Sequence, residues 1–206
     1  MALSNTRKAG AFFFVGVAQF ALIWFLSEAN YPGYSVANNY ISDLGTNCPS
    51  SGPCYVPPAW WIFNSSEVIL GLLVILSTYF WYRSFRWKPA TLLLTLSGIS
   101  LVGVGVFNES FGVVHQLFSL LIFLSLGLSA VVLFRFQKFP LSYFSLVLGI
   151  ITLVAIVLFA PDSGVYFGGQ LGIGPGGLER LIVYPMMVWG LGFAGHLMAT
   201  DETSTK

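Results

Sequence analysis

Apolar residues in this chain run in long blocks rather than alternating with polar ones, and polar residues cluster at the block ends. Six blocks come close to or exceed the ~20 residues that an α-helix needs to cross a hydrocarbon layer. They cover 9–26, 60–82, 90–107, 111–134, 141–160 and 178–199. Each is bounded by charge, proline or a polar cluster. A two-residue alternation is absent, so the pattern predicts helices rather than a barrel. The expected fold is all-α: one domain over 1–206, a six-helix transmembrane bundle with an extracytoplasmic loop cap. The cap is an outer loop at 27–59 and a glycine-rich outer loop at 161–177.

Composition narrows the function classes. Hydrophobic residues make up 56%, charged residues 8%, and the mean hydropathy is +0.79. Soluble domains carry about 25% charged residues. A secreted enzyme, a nucleic-acid binder and a disordered chain are thereby excluded, and the lipid bilayer becomes the first partner.

The few charges then orient the bundle. Arg7, Lys8, Arg83, Arg86, Lys88, Arg135, Lys138 and Lys206 fall on one side if six spans alternate, and Arg180 is the exception. The positive-inside rule makes that side cytoplasmic, giving a cell-membrane protein with both termini inside. Glu28, Asp43, Glu67, Glu109, Asp162 and Glu179 fall on or near the outer side. A signal peptide ending at Ser27-Glu28-Ala29 is a competing reading of the first block, but its apolar run exceeds the usual 7–15 or so residues. Trp24, Trp60, Trp61, Trp81 and Trp87 fall near the expected interfaces. Cys48 and Cys54 lie in the first outer loop across a Pro/Gly turn, an arrangement suited to a small disulfide loop in oxidising surroundings. Two free thiols are the alternative.

The third and fifth blocks share a weak repeat. Gly98-Ile99-Ser100-Leu101-Val102 leads to Glu109-Ser110-Phe111-Gly112-Val113, and Gly149-Ile150-Ile151-Thr152-Leu153-Val154 leads to Asp162-Ser163-Gly164-Val165. Parallel helical hairpins would produce such a pattern. Ser125 with Ser129, and Gly190 with Ala194, are spaced for close helix approach. Pro185 removes a donor inside the last span.

Ionisable groups within hydrocarbon are costly, which makes them candidates for function. Asp43, Glu67, Glu109, His115, Glu179 and Arg180 share one level beneath the outer face, with Asn39, Asn64 and Asn108 beside them. The expectation is an outward-opening pocket. In it Glu67, His115 and Asp43 are the catalytic candidates, with His115 a base oriented by Glu67 or Glu109. Asn39, Asn64, Asn108, Glu109, Glu179 and Arg180 are the binding candidates. Arg180 should pair with a carboxylate or hold an anionic head group. Asp43, Glu67 and His115 also form an oxygen-rich set suited to a divalent cation such as Ca, Mg or Mn. The alternative is a hydrogen-bonded network that only locks the helix ends together. Gly172-Ile173-Gly174-Pro175-Gly176-Gly177 matches a dinucleotide fingerprint in letters, but it follows no strand and reads as a flexible loop.

Tyr34-Ser35, Asn39, Ile41-Ser42-Asp43-Leu44-Gly45, Asn64, Phe107 and Glu109 before His115, and Gly177-x-Glu179-Arg180-Leu181 together resemble the DUF998 family of small polytopic membrane proteins. Asn108 departs from the pattern, which has proline there. The resemblance implies the six-span fold and this choice of residues, and it carries no activity over. Three functions stay open. One is binding or processing of a lipid-like or anionic small molecule at the outer leaflet. Another is an accessory role among the subunits of a larger membrane complex, and the last is transport of a small solute.

Overall fold

A computed structural model describes residues 3–46, 59–160 and 163–200. Cys48 and Cys54, with their expected disulfide, lie outside the described residues. So does Asp162. The described residues form helices and turns, with no strand among them.

Six helices are long and apolar enough to cross a membrane. These are α1 (Asn5–Ala29), α2 (Ala59–Phe85), α3 (Lys88–Val106), α4 (Val113–Leu133), α5 (Leu141–Phe159) and α7 (Gly174–Ala199), and a short α6 (Ser163–Gln170) precedes the last. The chain is a multi-pass membrane protein. Spanning segments must satisfy every backbone group internally, and the helical ladder does so whatever the side chains are.

The spans pack as a closed ring. α1 touches α2, α2 touches α3, and the sequence continues through α4, α5 and α7 back to α1. Small residues permit these contacts. A Cβ on Gly71 of α2 would come within 2.7 Å of the Gly98 carbonyl oxygen of α3, so the two backbones cross where neither helix carries a side chain. Hydroxyls stitch other neighbours together: Ser77 donates to the Ala9 carbonyl at 2.8 Å, Ser97 to Ser125 at 2.8 Å, and Ser145 to the Ala130 carbonyl at 2.7 Å. Thr152 of α5 donates to the Ile182 carbonyl at 3.0 Å, within the turn that Pro185 disturbs in α7.

One end of the ring is basic and aromatic. Thr6 at the start of α1 donates to Ser84 at the end of α2, Arg135 lies over the Trp87 ring, and His196 meets the Phe136 carbonyl. Behind these contacts Trp81 stacks on Phe85 at 4.0 Å between centroids, Trp189 stacks on Phe193 at 5.3 Å, and Phe13 packs edge-on against both members of that second pair. Two of the expected interface tryptophans face the protein interior. Trp81 is 1% exposed and Trp24 3%, because their rings fill the ring's interior, whereas Trp61 is 59% exposed.

Candidate functional site

At the opposite end of the ring, residues 30–46, which follow α1, fold against α2 and α7 as a cap. Its chain turns at 30–39 and then forms a 3₁₀ turn at Ser42–Gly45. Asp43 holds this turn together: it is fully buried, and its carboxylate accepts from Asn39 Nδ2 at 2.8 Å and from the Tyr40 amide at 3.1 Å. Asn64 of α2 donates to the Gly45 carbonyl at 2.8 Å, which ties the cap to the second span. Thr46 shares a hydroxyl bond with Ser110 at 3.1 Å, tying it also to the turn after α3.

The start of α7 holds the same cap from the other side. Arg180 is 3% exposed. One terminal nitrogen donates to the carbonyls of Val36, Asn39 and Gly176 at 3.1, 3.0 and 2.9 Å. The other donates to Glu28 at 2.8 Å and to the Tyr34 hydroxyl. The guanidinium also lies over the rings of Trp24 and Tyr34. Glu28 in turn accepts from Trp24 Nε1 at 2.8 Å. Next along α7, Glu179 accepts from the Ile41 amide. One adjacent acid–base pair thus clamps two stretches of the cap.

The glycine-rich stretch is a correction to the expected loop. Residues 163–170 are helical, and the last span starts at Gly174 rather than at 178. The physical reason is backbone contact. The Gly176 amide donates to the Ala37 carbonyl at 2.9 Å, and a Cβ on Gly176 would overlap the Asn39 carbonyl oxygen. Glycine stands there so that the cap backbone can lie directly on the helix.

Beneath the cap, inside the ring, is a cavity of about 100 Å³. Its polar wall is Glu67 of α2, His115 and Ser119 of α4, Glu179 of α7 and Ser42 of the cap. The remaining wall is apolar and runs toward the aromatic end past Phe20, Leu70, Leu101 and Met186. Glu67 makes no hydrogen bond to any described residue. His115 Nδ1 lies 2.9 Å from the Phe107 carbonyl. A carbonyl can only accept, so Nδ1 carries a proton, and in the neutral ring Nε2 presents its lone pair.

The six costly residues expected to share one pocket are therefore divided. Glu67, His115 and Glu179 line the cavity. Arg180 is turned into the cap. Asp43 serves its own turn and does not line the cavity. Glu109 begins the short turn Glu109–Phe111, where Asn108 accepts from the Ser110 amide at 3.1 Å, and neither residue lines the cavity. His115 is oriented by a main-chain carbonyl rather than by a carboxylate. No three His, Cys, Asp or Glu residues among those described are placed to hold a metal ion, so the divalent-cation set of Asp43, Glu67 and His115 does not assemble.

Carboxylates still surround the cap's tyrosines. Burial pushes the Tyr40 hydroxyl above its ordinary pKa, and Glu179, Asp43 and Glu109 push the same way. Tyr34 is raised by burial even though Arg180 opposes the shift. Both phenols stay protonated and act as hydrogen-bonding groups, Tyr34 donating to the Tyr40 carbonyl at 3.1 Å.

Glu28 and Tyr34 are the residues that sequence reasoning left out of the site. A signal for Glu28 existed: it lies one turn after Trp24 on α1, and Arg180, a cation set apart from the other basic residues, requires a carboxylate.

A model of the family described as "Protein of unknown function (DUF998)" matches residues 14–196. The chain belongs to the DUF998 family. No curated protein and no solved structure matches it. The family match takes in the cap, the clamp and all three ionisable cavity residues.

Proposed function

We propose that this DUF998 protein binds a small amphiphile in the capped cavity, with Glu67, His115 and Glu179 around the head group and the apolar sleeve around its stem. The cap faces outward and both termini lie in the cytoplasm, a reading supported by the eight basic residues assigned to the other side. The observation that carries the proposal is the state of Glu67. A carboxylate used only to lock helices would be bonded as Glu28 is to Arg180, because an unmatched charge in a low-dielectric interior is costly. Glu67 instead stands without a hydrogen bond to a described residue and faces a void.

The packed rings of Trp81, Phe85, Trp189 and Phe193 argue against transport, since they leave no polar route through the other end. Catalysis by His115 would need a reactant within reach of Nε2, and the same cavity is where it would sit.

The test is mass spectrometry of amphiphiles that copurify with the detergent-solubilised protein. Ser119→Trp fills the void while leaving both carboxylates in the sequence. The expected result is a small amphiphile retained by the wild type and lost from the variant at equal melting temperature. Identical retention by both proteins would count against the cavity as a binding site.

A further inference from the structure

The chemical class of the head group can be read from what the cavity offers. Its ionisable wall consists of the Glu67 carboxylate, the Glu179 carboxylate and His115 Nε2. One Glu179 oxygen is taken by the Ile41 amide, and the other makes no bond to a described residue. In the neutral ring the Phe107 bond on Nδ1 leaves Nε2 as an acceptor. The serine hydroxyls of Ser42 and Ser119 can serve either way. No lysine or arginine among the described residues lines the void, and Arg180, next to Glu179 in sequence, spends both terminal nitrogens on Glu28, Tyr34 and main-chain carbonyls. The polar wall therefore presents acceptors from three different spans, the neutral imidazole and two carboxyl groups that are negative when ionised.

An anionic head group would meet two carboxylates and no cation. A neutral alcohol offers a single O–H. An ammonium offers three donors and a positive charge, one donor for each of Glu67, Glu179 and His115. Size points the same way. A void on the order of 150 Å³ takes one benzene molecule, so about 100 Å³ admits an ammonium with only a few carbons. Resting on the cavity reading above, we infer that the group this site recognises is a primary ammonium on a short apolar stem.

The experiment compares four probes with one stem on the full-length protein in phosphatidylcholine nanodiscs: n-butylammonium, n-butanol, butyrate and butyl phosphate. The expected result is a melting-temperature rise of about 3 °C or more at saturating n-butylammonium, with no rise from the other three. In Glu67→Gln the affinity for n-butylammonium falls about tenfold or more, as loss of a charged hydrogen-bond partner requires. If Glu67→Gln fails to fold, Ser119→Trp supplies the comparison, and loss of the shift there is the expected outcome.

Binding of n-butanol, butyrate or butyl phosphate as tightly as n-butylammonium, and abolished by Ser119→Trp, would overturn the ammonium assignment while leaving the cavity reading intact. No binding by any of the four would overturn the ammonium assignment, and unchanged copurification in the mass-spectrometric test would overturn the cavity reading separately. A shift from n-butylammonium that persists equally in both variants would place the amine elsewhere on the protein and overturn the assignment.

Discussion

At the basic end of the ring, Trp81, Phe85, Phe136, Trp189 and Phe193 close the interior with rings packed on rings. At the capped end, three of the same helices hold two carboxylates and an imidazole around a void. The aromatic end gains from each atom buried, and a close-packed interior leaves no room for a ligand. The capped end has groups that gain nothing from being left together. The contrast continues within the capped end itself. Glu28 and Arg180 satisfy each other, whereas Glu67 is bonded to none of the described residues. Ion pairing marks the clamp that holds the cap, and its lack at Glu67 marks the group available to a ligand.

The sharpest way to break this comparison is Arg180→Met. It removes the donors to Val36, Asn39 and Gly176 and leaves Glu28 without its cation, at an expected cost of about 3–5 kcal/mol. Thermal melting in nanodiscs reads it, and the double variant with Glu28→Gln should recover part of the loss. A single variant that melts like the wild type would mean that the clamp does not hold the cap.

Trp81→Ala tests the aromatic end. Removing a fully buried indole should cost about 3 kcal/mol. Occupancy of the cavity in the folded fraction should be unchanged, because Trp81 does not line it. Loss of ligand at equal folded fraction would show that the two ends are not independent.

Gly176→Ala places a Cβ on the cap backbone and should cost about 1–3 kcal/mol by overpacking. Hydrogen exchange should rise chiefly over 34–46, and an increase spread evenly over the spans would contradict the docking described here. The smallest expected effect on stability is that of Glu67→Gln, at most about 0.5 kcal/mol, since that side chain has no hydrogen bond to lose. A large destabilisation would make Glu67 a structural residue after all.

Much of the fold was legible in the sequence because the bilayer imposes a length. Six apolar runs became six helices, and the ends moved by a few residues where cap chemistry intervened. α1 runs from Asn5 to Ala29, beyond the 9–26 of its apolar core, because Ser4 caps its start. The last span begins early because Gly174 and Gly176 serve as contact surface for the cap. The site was legible only as a list of costly residues at one depth. Helical periodicity states which residues share a face of their own helix, but it does not say which neighbour that face meets.

The sequence alone established that the chain is a helical membrane protein with most of its acidic side chains toward one end of the bundle and most of its basic ones toward the other. Hydropathy and charge act residue by residue and need no partner to be read. The ring order and the fold of the cap decided which of those residues meet. They turned Arg180 toward Glu28 and away from the void, gave Asp43 to its own turn, and brought Glu67, His115 and Glu179 together from three spans. Hydrogen bonds and charge pairing act over a few ångströms between residues far apart in the chain, so only the packed structure could assign them.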